Sequence, residues 1–311
     1  MDTENQFPAN VFVSLKDLLR MDAHARGFSF SAKKQKVRSI LGGKHASKLR
    51  GRGLDFEEVR NYVAGDDIRN IDWKVTARTQ KTHTRVFSEE KEKPALIVVD
   101  QSRSMFFGST HKTKSVVAAE LAALSAFRVL KEGDRVGGVV ITKDGIDITP
   151  PKRDRKNTFR FLETIVKHNR SLIGTSSKHH DAIMKEALPR INNIVTHDFL
   201  VVVISDFSRY SPEVIKGLIR MSQHNDVILA RVFDPLERDI PTTQIVMGDG
   251  QKQIMVKGEA KEINTKFTKG FNNDFEAFKN EMNKHQIPVF SISTDAAVED
   301  QVKEILKTGK R

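Results

Sequence analysis

Asp100, Ser102 and Ser104 place one carboxylate and two hydroxyls at alternate positions directly after the apolar run Ala95-Leu96-Ile97-Val98-Val99. A run of branched apolar residues bounded by charge, with Glu92-Lys93-Pro94 before it and Asp100 after it, reads as a buried strand of an α/β sheet. Open α/β sheets bind ligands beyond the carboxyl ends of their strands, which is where these three side chains fall. Three hard oxygen donors with neither Cys nor His among them suit Mg²⁺ better than zinc or copper. The expectation is a metal site to which other parts of the chain contribute further ligands.

Two phosphate chemistries that also begin at a strand end fit less well. An aspartyl phosphatase of the haloacid dehalogenase kind resembles Asp-x-Asp and needs a second carboxylate two residues on, where this chain has Ser102. A nucleotide-binding P-loop needs a glycine directly before its lysine. Gly108-Ser109-Thr110-His111-Lys112-Thr113 lacks it, so the backbone could not cradle a phosphate there in the usual way. His179-His180-Asp181 looks like a metal cluster on paper, yet adjacent histidines on a helix point to different faces, so a surface role is expected.

The elements that must position the Asp100 cluster follow from residue 95 onward, where strand-like and helix-like patterns alternate as in βαβ units of a mostly parallel sheet. A helix over roughly 112–132 carries Val117, Leu121, Leu124 and Phe127 on one side, with Gly133 as its stop. A strand from Val136 to Thr142, a turn at Asp144-Gly145 and a short returning strand from Ile146 to Thr149 come next. Phe159, Leu162, Ile165 and Val166 mark a second helix, and a third covers roughly Lys178 to Leu188. The apolar run Phe199–Ile204 ends in Ser205-Asp206, a second strand delivering a carboxylate at its end. Ser211 with Pro212 opens another helix, Val227–Phe233 is a strand, Phe271–Met282 a helix and Pro288–Ser293 the last strand. Thr294 is expected to cap a final helix through Val298, Val302 and Ile305, and residues 243–256, split by Gly248-Asp249-Gly250, read as a hairpin.

Composition bounds the class. With 38% hydrophobic and 30% charged residues over 311 positions, the chain can bury a sizeable core and reads as a water-soluble globular protein. No stretch offers the roughly 18 uninterrupted apolar residues of a membrane span, and Met1-Asp2-Thr3-Glu4-Asn5 lacks a signal-peptide pattern, so a cytoplasmic location is expected. The absence of cysteine excludes thiol catalysis, thiolate metal sites and disulfides. Net charge is +12 and uneven: Lys33 to Arg52 holds eight basic residues and no acidic one. Such a strip suits nucleic acid, an anionic membrane or an acidic protein face. No aromatic residue interleaves it, which weakens a single-strand stacking role, and a solvated arm is the simpler expectation.

Asp100-x-Ser102-x-Ser104 resembles the metal-ion-dependent adhesion site of von Willebrand factor type A domains. The resemblance implies two further ligands, a Thr from a second loop and an Asp from a third. Thr175, in Gly174-Thr175-Ser176 before the third helix, is the matching hydroxyl, and Asp206 is the matching acid. Hydroxyls of Ser102, Ser104 and Thr175 would bind Mg²⁺ at about 2.1 Å while Asp100 and Asp206 balance its charge, with Mn²⁺ or Ca²⁺ as the alternative ions. A sixth position is then left for a carboxylate from a partner protein.

The upstream block Gly51-x-Gly53, Phe56-Glu57, Arg60-x-Tyr62, Gly65-Asp66-Asp67-x-Arg69-x-Ile71-Asp72-Trp73 and Ala77-Arg78, then Phe87 and Glu90, resembles the signature of the domain of unknown function 58 family (DUF58). Weaker matches lie at Asp134-Arg135-Val136-Gly137, Ser205-Asp206-Phe207 and Asp234-Pro235-Leu236-Glu237. The resemblance implies a bacterial cytoplasmic protein with a von Willebrand factor A-like, doubly wound, mostly parallel α/β sheet bearing helices on both faces. It divides the chain into an N-terminal basic and family-specific segment, 1–90, and the A-like domain, 91–311, with a hairpin insertion at about 236–257. It also implies a MoxR-type AAA+ ATPase, together with its client, as partner. Arg60, Asp66, Asp67, Arg69, Asp72 and Arg78 form either a buried ion network or a partner-facing surface.

These readings favour a non-enzymatic, Mg²⁺-dependent protein-interaction module. The alternatives are a metal-dependent phosphoester hydrolase, for which no His, Lys or second carboxylate is placed by sequence as general base, and nucleic-acid binding through Lys33 to Arg52.

Overall fold

The computed structural model describes residues 7–26, 54–89, 93–173, 180–208, 210–238, 245–248, 253–256 and 261–308. They fall into two compact units, one drawn from Gly42–Glu92 and the other from Met1–Leu41 with Lys93–Arg311. The elements in chain order are α1 (Leu15–His24), β1 (Leu54–Asn61), α2 (Trp73–Thr79), β2 (His83–Glu89), β3 (Ala95–Asp100), α3 (Lys114–Glu132), β4 (Val136–Ile141) and β5 (Ile146–Lys152). They continue with α4 (Arg155–Arg170), α5 (His180–Ile194), β6 (Leu200–Ser205), α6 (Pro212–Ser222), β7 (Asp226–Phe233) and α7 (Pro235–Arg238). The last are β8 (Ile245–Gly248), β9 (Gln253–Val256), α8 (Lys261–Lys284), β10 (Val289–Ser293) and α9 (Val298–Thr308).

The larger unit is a mixed α/β fold on a six-stranded sheet of order β10-β7-β6-β3-β4-β5, parallel throughout except for β5, which runs antiparallel to β4. Every residue of β3, β4 and β6 is buried, as both faces of a parallel sheet must be. Strand side chains alternate between two cores. Ala95, Ile97 and Val99 face one with α1, α3, α4 and α9; Leu96 and Val98 face the other with α5, α6 and the end of α8. The doubly wound, mostly parallel sheet read from the sequence is the architecture observed.

Local chemistry explains the helices that frame β3. Thr113 caps α3, its Oγ1 accepting from Val116 N, and Gly133 ends it with φ +87°, a left-handed backbone that glycine adopts without strain. Between them, Ala118, Ala119, Ala122, Ala123 and Ala126 combine high helix propensity with side chains small enough for close packing. Helix α1 opens with a capping box between Ser14 and Asp17 and packs against α3 and α4. It therefore belongs to the α/β unit, although the sequence reading grouped residues 1–90 as one segment. Helix α8 starts ten residues before the expected Phe271.

Thr294 departs from expectation. Helix α9 begins at Val298, and the Thr294 hydroxyl instead donates to Asp234 Oδ2 at 2.6 Å. A charged acceptor gives a stronger bond than a helix N–H offers, so the hydroxyl is drawn to the end of β7.

The smaller unit is held by its own charges. Strands β1 and β2 pair antiparallel. Asp72 caps α2, its Oδ1 accepting from Lys74 N and Val75 N at 3.1 Å, while its Oδ2 accepts from Arg85 Nε at 2.8 Å. Asp66 receives a two-pronged bond from Arg60 at 2.7 and 2.8 Å and another from Val63 N. Asp67 accepts from Arg69 N at 3.0 Å. Arg60 and Arg85 are partly exposed while Asp72 is buried, so these acids organise turns from the edge of the unit with their basic partners reaching solvent. Val63, Ile68 and Trp73 are exposed large apolar residues of this unit.

Candidate metal centre

Strand β3 ends at Asp100, whose carboxylate is fully buried. Its Oδ1 accepts from Ser102 N at 2.8 Å, turning the chain sharply at the strand end, and its Oδ2 accepts from Ser205 Oγ at 2.6 Å. Ser205 closes β6, the parallel neighbour of β3, so sheet register brings this pair together across 105 residues of chain. Asp100 is therefore held on both oxygens.

The alternation of residues 100, 102 and 104 is not a continued strand. Ser102 is extended, at φ −86° and ψ 172°, and Arg103–Met105 then form a 3₁₀ turn. That turn folds Ser104 back, so the Ser102 and Ser104 hydroxyl oxygens lie 3.3 Å apart. Met105 is buried below them and Arg103 is exposed. Adjacent ligand oxygens on a six-coordinate Mg²⁺ with bonds of about 2.1 Å lie about 3 Å apart. The two hydroxyls are spaced for that role, and Ser104 opens to solvent while Asp100 stays buried. The donor set, all oxygen with a single fixed carboxylate, fits a small hard cation.

Asp206 follows Ser205 beyond β6. Its Oδ1 accepts from Ser208 N at 3.0 Å and its Oδ2 from Lys114 Nζ at 3.0 Å. Lys114 is the first residue of α3 and is 1% exposed. Its ammonium also donates to Glu237 Oε1 at 2.5 Å. Burial alone would push the Lys114 ammonium down, but the carboxylates of Asp206 and Glu237 outweigh it and hold it above its usual range. Burial raises Asp206 and the Lys114 charge lowers it, with the net effect downward, so the pair is ionised. The next residue, Phe207, has φ +52°, a conformation that bulky side chains rarely adopt. Its ring is buried and stacks on Phe278, which holds the strained turn beside Asp206.

Further side chains surround this edge of the sheet. The Tyr210 phenol is pushed well above its ordinary value by burial and by the charge of Asp100. Asp234, just past β7, accepts from Ser109 N and Ser109 Oγ at 2.9 and 2.5 Å, from Thr294 Oγ1 and from Leu236 N. Glu237 Oε2 in turn accepts from Asp234 N at 3.0 Å.

Of the five residues expected to hold a metal, Asp100, Ser102 and Ser104 form one cluster, and Asp206 stands on the adjoining strand end. Thr175 lies outside the described residues, as do His179 and the basic strip from Lys33 to Arg52. Among the described residues no group of three or more His, Cys, Asp and Glu side chains is placed to hold a metal. Lys114 and Glu237 were not singled out as site residues by sequence reasoning. A lysine directly after a helix-capping threonine, at the head of a helix whose first turns are mostly apolar, was the local sign of the first.

Residues 58–282 match the family described as protein of unknown function DUF58. The chain belongs to the DUF58 family. An uncharacterized protein of Mycobacterium tuberculosis is 29% identical to this DUF58 protein over 224 residues, which cover 71% of this chain and 68% of that one. Among solved structures, the conserved hypothetical protein BatB from Bacteroides thetaiotaomicron is 17% identical with a TM-score of 0.43, covering 68% of this chain and 98% of its own. A von Willebrand factor type A protein from Catenulispora acidiphila is 10% identical with a TM-score of 0.36, covering 73% and 44%. No helix among the described residues of the DUF58 protein is long and apolar enough to cross a membrane.

Proposed function

We propose that this DUF58 protein is a non-enzymatic, divalent-cation-dependent protein-interaction module that acts with a MoxR-type AAA+ ATPase on a client protein. The observation that carries the reading is the 3.3 Å pairing of the Ser102 and Ser104 hydroxyls beside the buried Asp100, at the open end of the sheet. Asp100, Ser102 and Ser104, with Asp206 and Thr175, are the residues that would hold Mg²⁺, Mn²⁺ or Ca²⁺. The ion would supply an electrophilic position for a carboxylate of the partner. Ser104, exposed at the mouth, leaves room for that carboxylate, while Ser205 and the Ser102 amide keep Asp100 from swinging outward. Asp100 is fixed on both oxygens and buried, which suits an anchor better than an attacking nucleophile. A cytoplasmic location agrees with this reading.

The test is affinity for the cognate AAA+ ATPase, measured by titration calorimetry with Mg²⁺ or with EDTA. Binding is expected to fall at least about tenfold with EDTA and in Ser104→Ala and Asp100→Ala. Affinity unchanged by all three would overturn the metal-bridged reading. Ser104→Ala matters most, because it removes one exposed oxygen without disturbing the buried bonds of Asp100.

A further inference from the structure

The buried ammonium of Lys114 is the feature of this edge that the proposed function does not use. It lies 3.0 Å from Asp206 and 2.5 Å from Glu237, with 2% of its side chain exposed, against 4% for Asp206 and 23% for Glu237. Removing an ammonium and a carboxylate from water is costly, and apolar side chains of similar volume are often as stabilising as a buried pair. Fold stability therefore gives little reason for this triad. Its position gives a better one. Lys114 holds the acid expected to balance a cation at the Ser102–Ser104 pair, and both oxygens of that acid already have donors within the chain.

We infer that Lys114 is the built-in counter-cation of this site, opposing cation uptake by holding Asp206 and coupling that uptake to helix α7 through Glu237. The inference rests on the divalent-cation reading above. Asp206 cannot give its full charge to Lys114 and to a dication at the same time, and a fixed ammonium repels an ion entering beside it. When Asp206 turns toward the cation, Glu237 keeps the ammonium partnered. Glu237 also accepts from Asp234 N, so a change in the Lys114 contact reaches the end of β7 and the Pro235–Arg238 turn. The loops after β6 and β7 are thereby joined by one side chain from the start of α3. Lys114 is a positioning residue, acting through Asp206.

Two substitutions shift the balance in opposite directions. Lys114→Met removes the competing charge and leaves Asp206 in need of a cation. Glu237→Gln leaves Asp206 as the only anionic partner of the ammonium and removes a negative charge nearby. The probe is MnCl₂ binding to the full chain followed by electron paramagnetic resonance, with thermal melting in EDTA and in excess Mn²⁺ as a second readout. Lys114→Met is expected to bind Mn²⁺ at least about tenfold more tightly than the unmodified protein, melting lower in EDTA and gaining more on Mn²⁺ addition. Glu237→Gln is expected to bind at least about threefold more weakly.

Equal Mn²⁺ affinities in all three proteins would overturn the inference while leaving the metal reading standing. Uptake by Lys114→Met but not by the unmodified chain would support the counter-cation role and overturn Mg²⁺ dependence of the natural protein. Uptake by no folded protein of the set would overturn both. If Lys114→Met does not fold, Glu237→Gln decides: weaker binding supports the inference, and unchanged or tighter binding overturns it.

Discussion

Asp234 illustrates how much one buried carboxylate organises here. It is fully buried, yet Ser109, Thr294 and Leu236 together supply it with four hydrogen bonds. Burial raises its carboxyl, and the bonds from Ser109 and Thr294 more than offset that, holding it below the ordinary carboxylate range. Asp234→Ala strands several buried donors at once, each costing about 1–3 kcal/mol when unsatisfied. A loss of about 3 kcal/mol or more is expected, read as a lower urea midpoint at constant m-value. Asp234→Asn keeps the shape and part of the bonding, so its midpoint should fall between the two. A loss below about 0.5 kcal/mol for Asp234→Ala would show that the loops do not depend on it.

At the scale of elements, the close approach of α4 to β4 is set by a missing side chain. A Cβ built on Gly138 would lie 2.0 Å from Phe161 Cε2, so the ring of Phe161 occupies the space that any larger residue needs. Gly138→Ala must push α4 away or force Phe161 off its rotamer, which costs about 1–3 kcal/mol. The matching Gly138→Ala/Phe161→Leu pair should recover part of that loss, measurable as a coupling in a double-mutant cycle. Strict additivity would mean that the helix relaxes elsewhere. Helix α4 also reaches the site's flank: Asn169 Nδ2 donates to Gln101 Oε1 at 2.9 Å, and Asn169 Oδ1 accepts from Val13 N just before α1. Gln101 in turn donates to Ser115 O near the start of α3. The residue after Asp100 is thus tied to α4 and α3, and through Asn169 to the segment just before α1, which braces the strand end.

For the molecule as a whole, pH dependence follows from its carboxylates. Burial raises Asp22, but Lys131 and Arg155 outweigh it and leave the group lowered. Asp72 is lowered by Arg85 and by the backbone of α2. With Asp234 and Asp206 these are groups whose folded value lies below the unfolded one. Their contribution is complete above the unfolded value near 3.8 and is lost as pH falls through the folded values. Glu120 runs the other way: burial raises it despite its bond from Lys112, so protonation relieves a cost as pH drops through that raised value. Thermal stability should change little on mild acidification and then fall steeply below about pH 4. The net charge of +12 grows as carboxylates protonate, so added salt should restore part of the low-pH loss by screening. A melting temperature flat down to pH 3 would contradict this.

Runs such as Ala95–Val99 and Phe199–Ile204, the alanine-rich helix and its Gly133 stop are decided within short windows of chain. Burial of both sheet faces and helix propensity act there on neighbours, so the strands, the sheet class and the clustering of Asp100 with Ser102 and Ser104 could be read from the sequence. The ion pairs could not. Lys114 meets Asp206 across 92 residues, and Thr294 meets Asp234 across 60. No local spacing encodes such partners, because strand order and register choose them. The sequence by itself determined where oxygen-bearing side chains gather at the end of β3. Only the tertiary structure decided that a cation from the chain itself sits against the acid beside them, since pairing of buried charges is settled by which loops the sheet brings together.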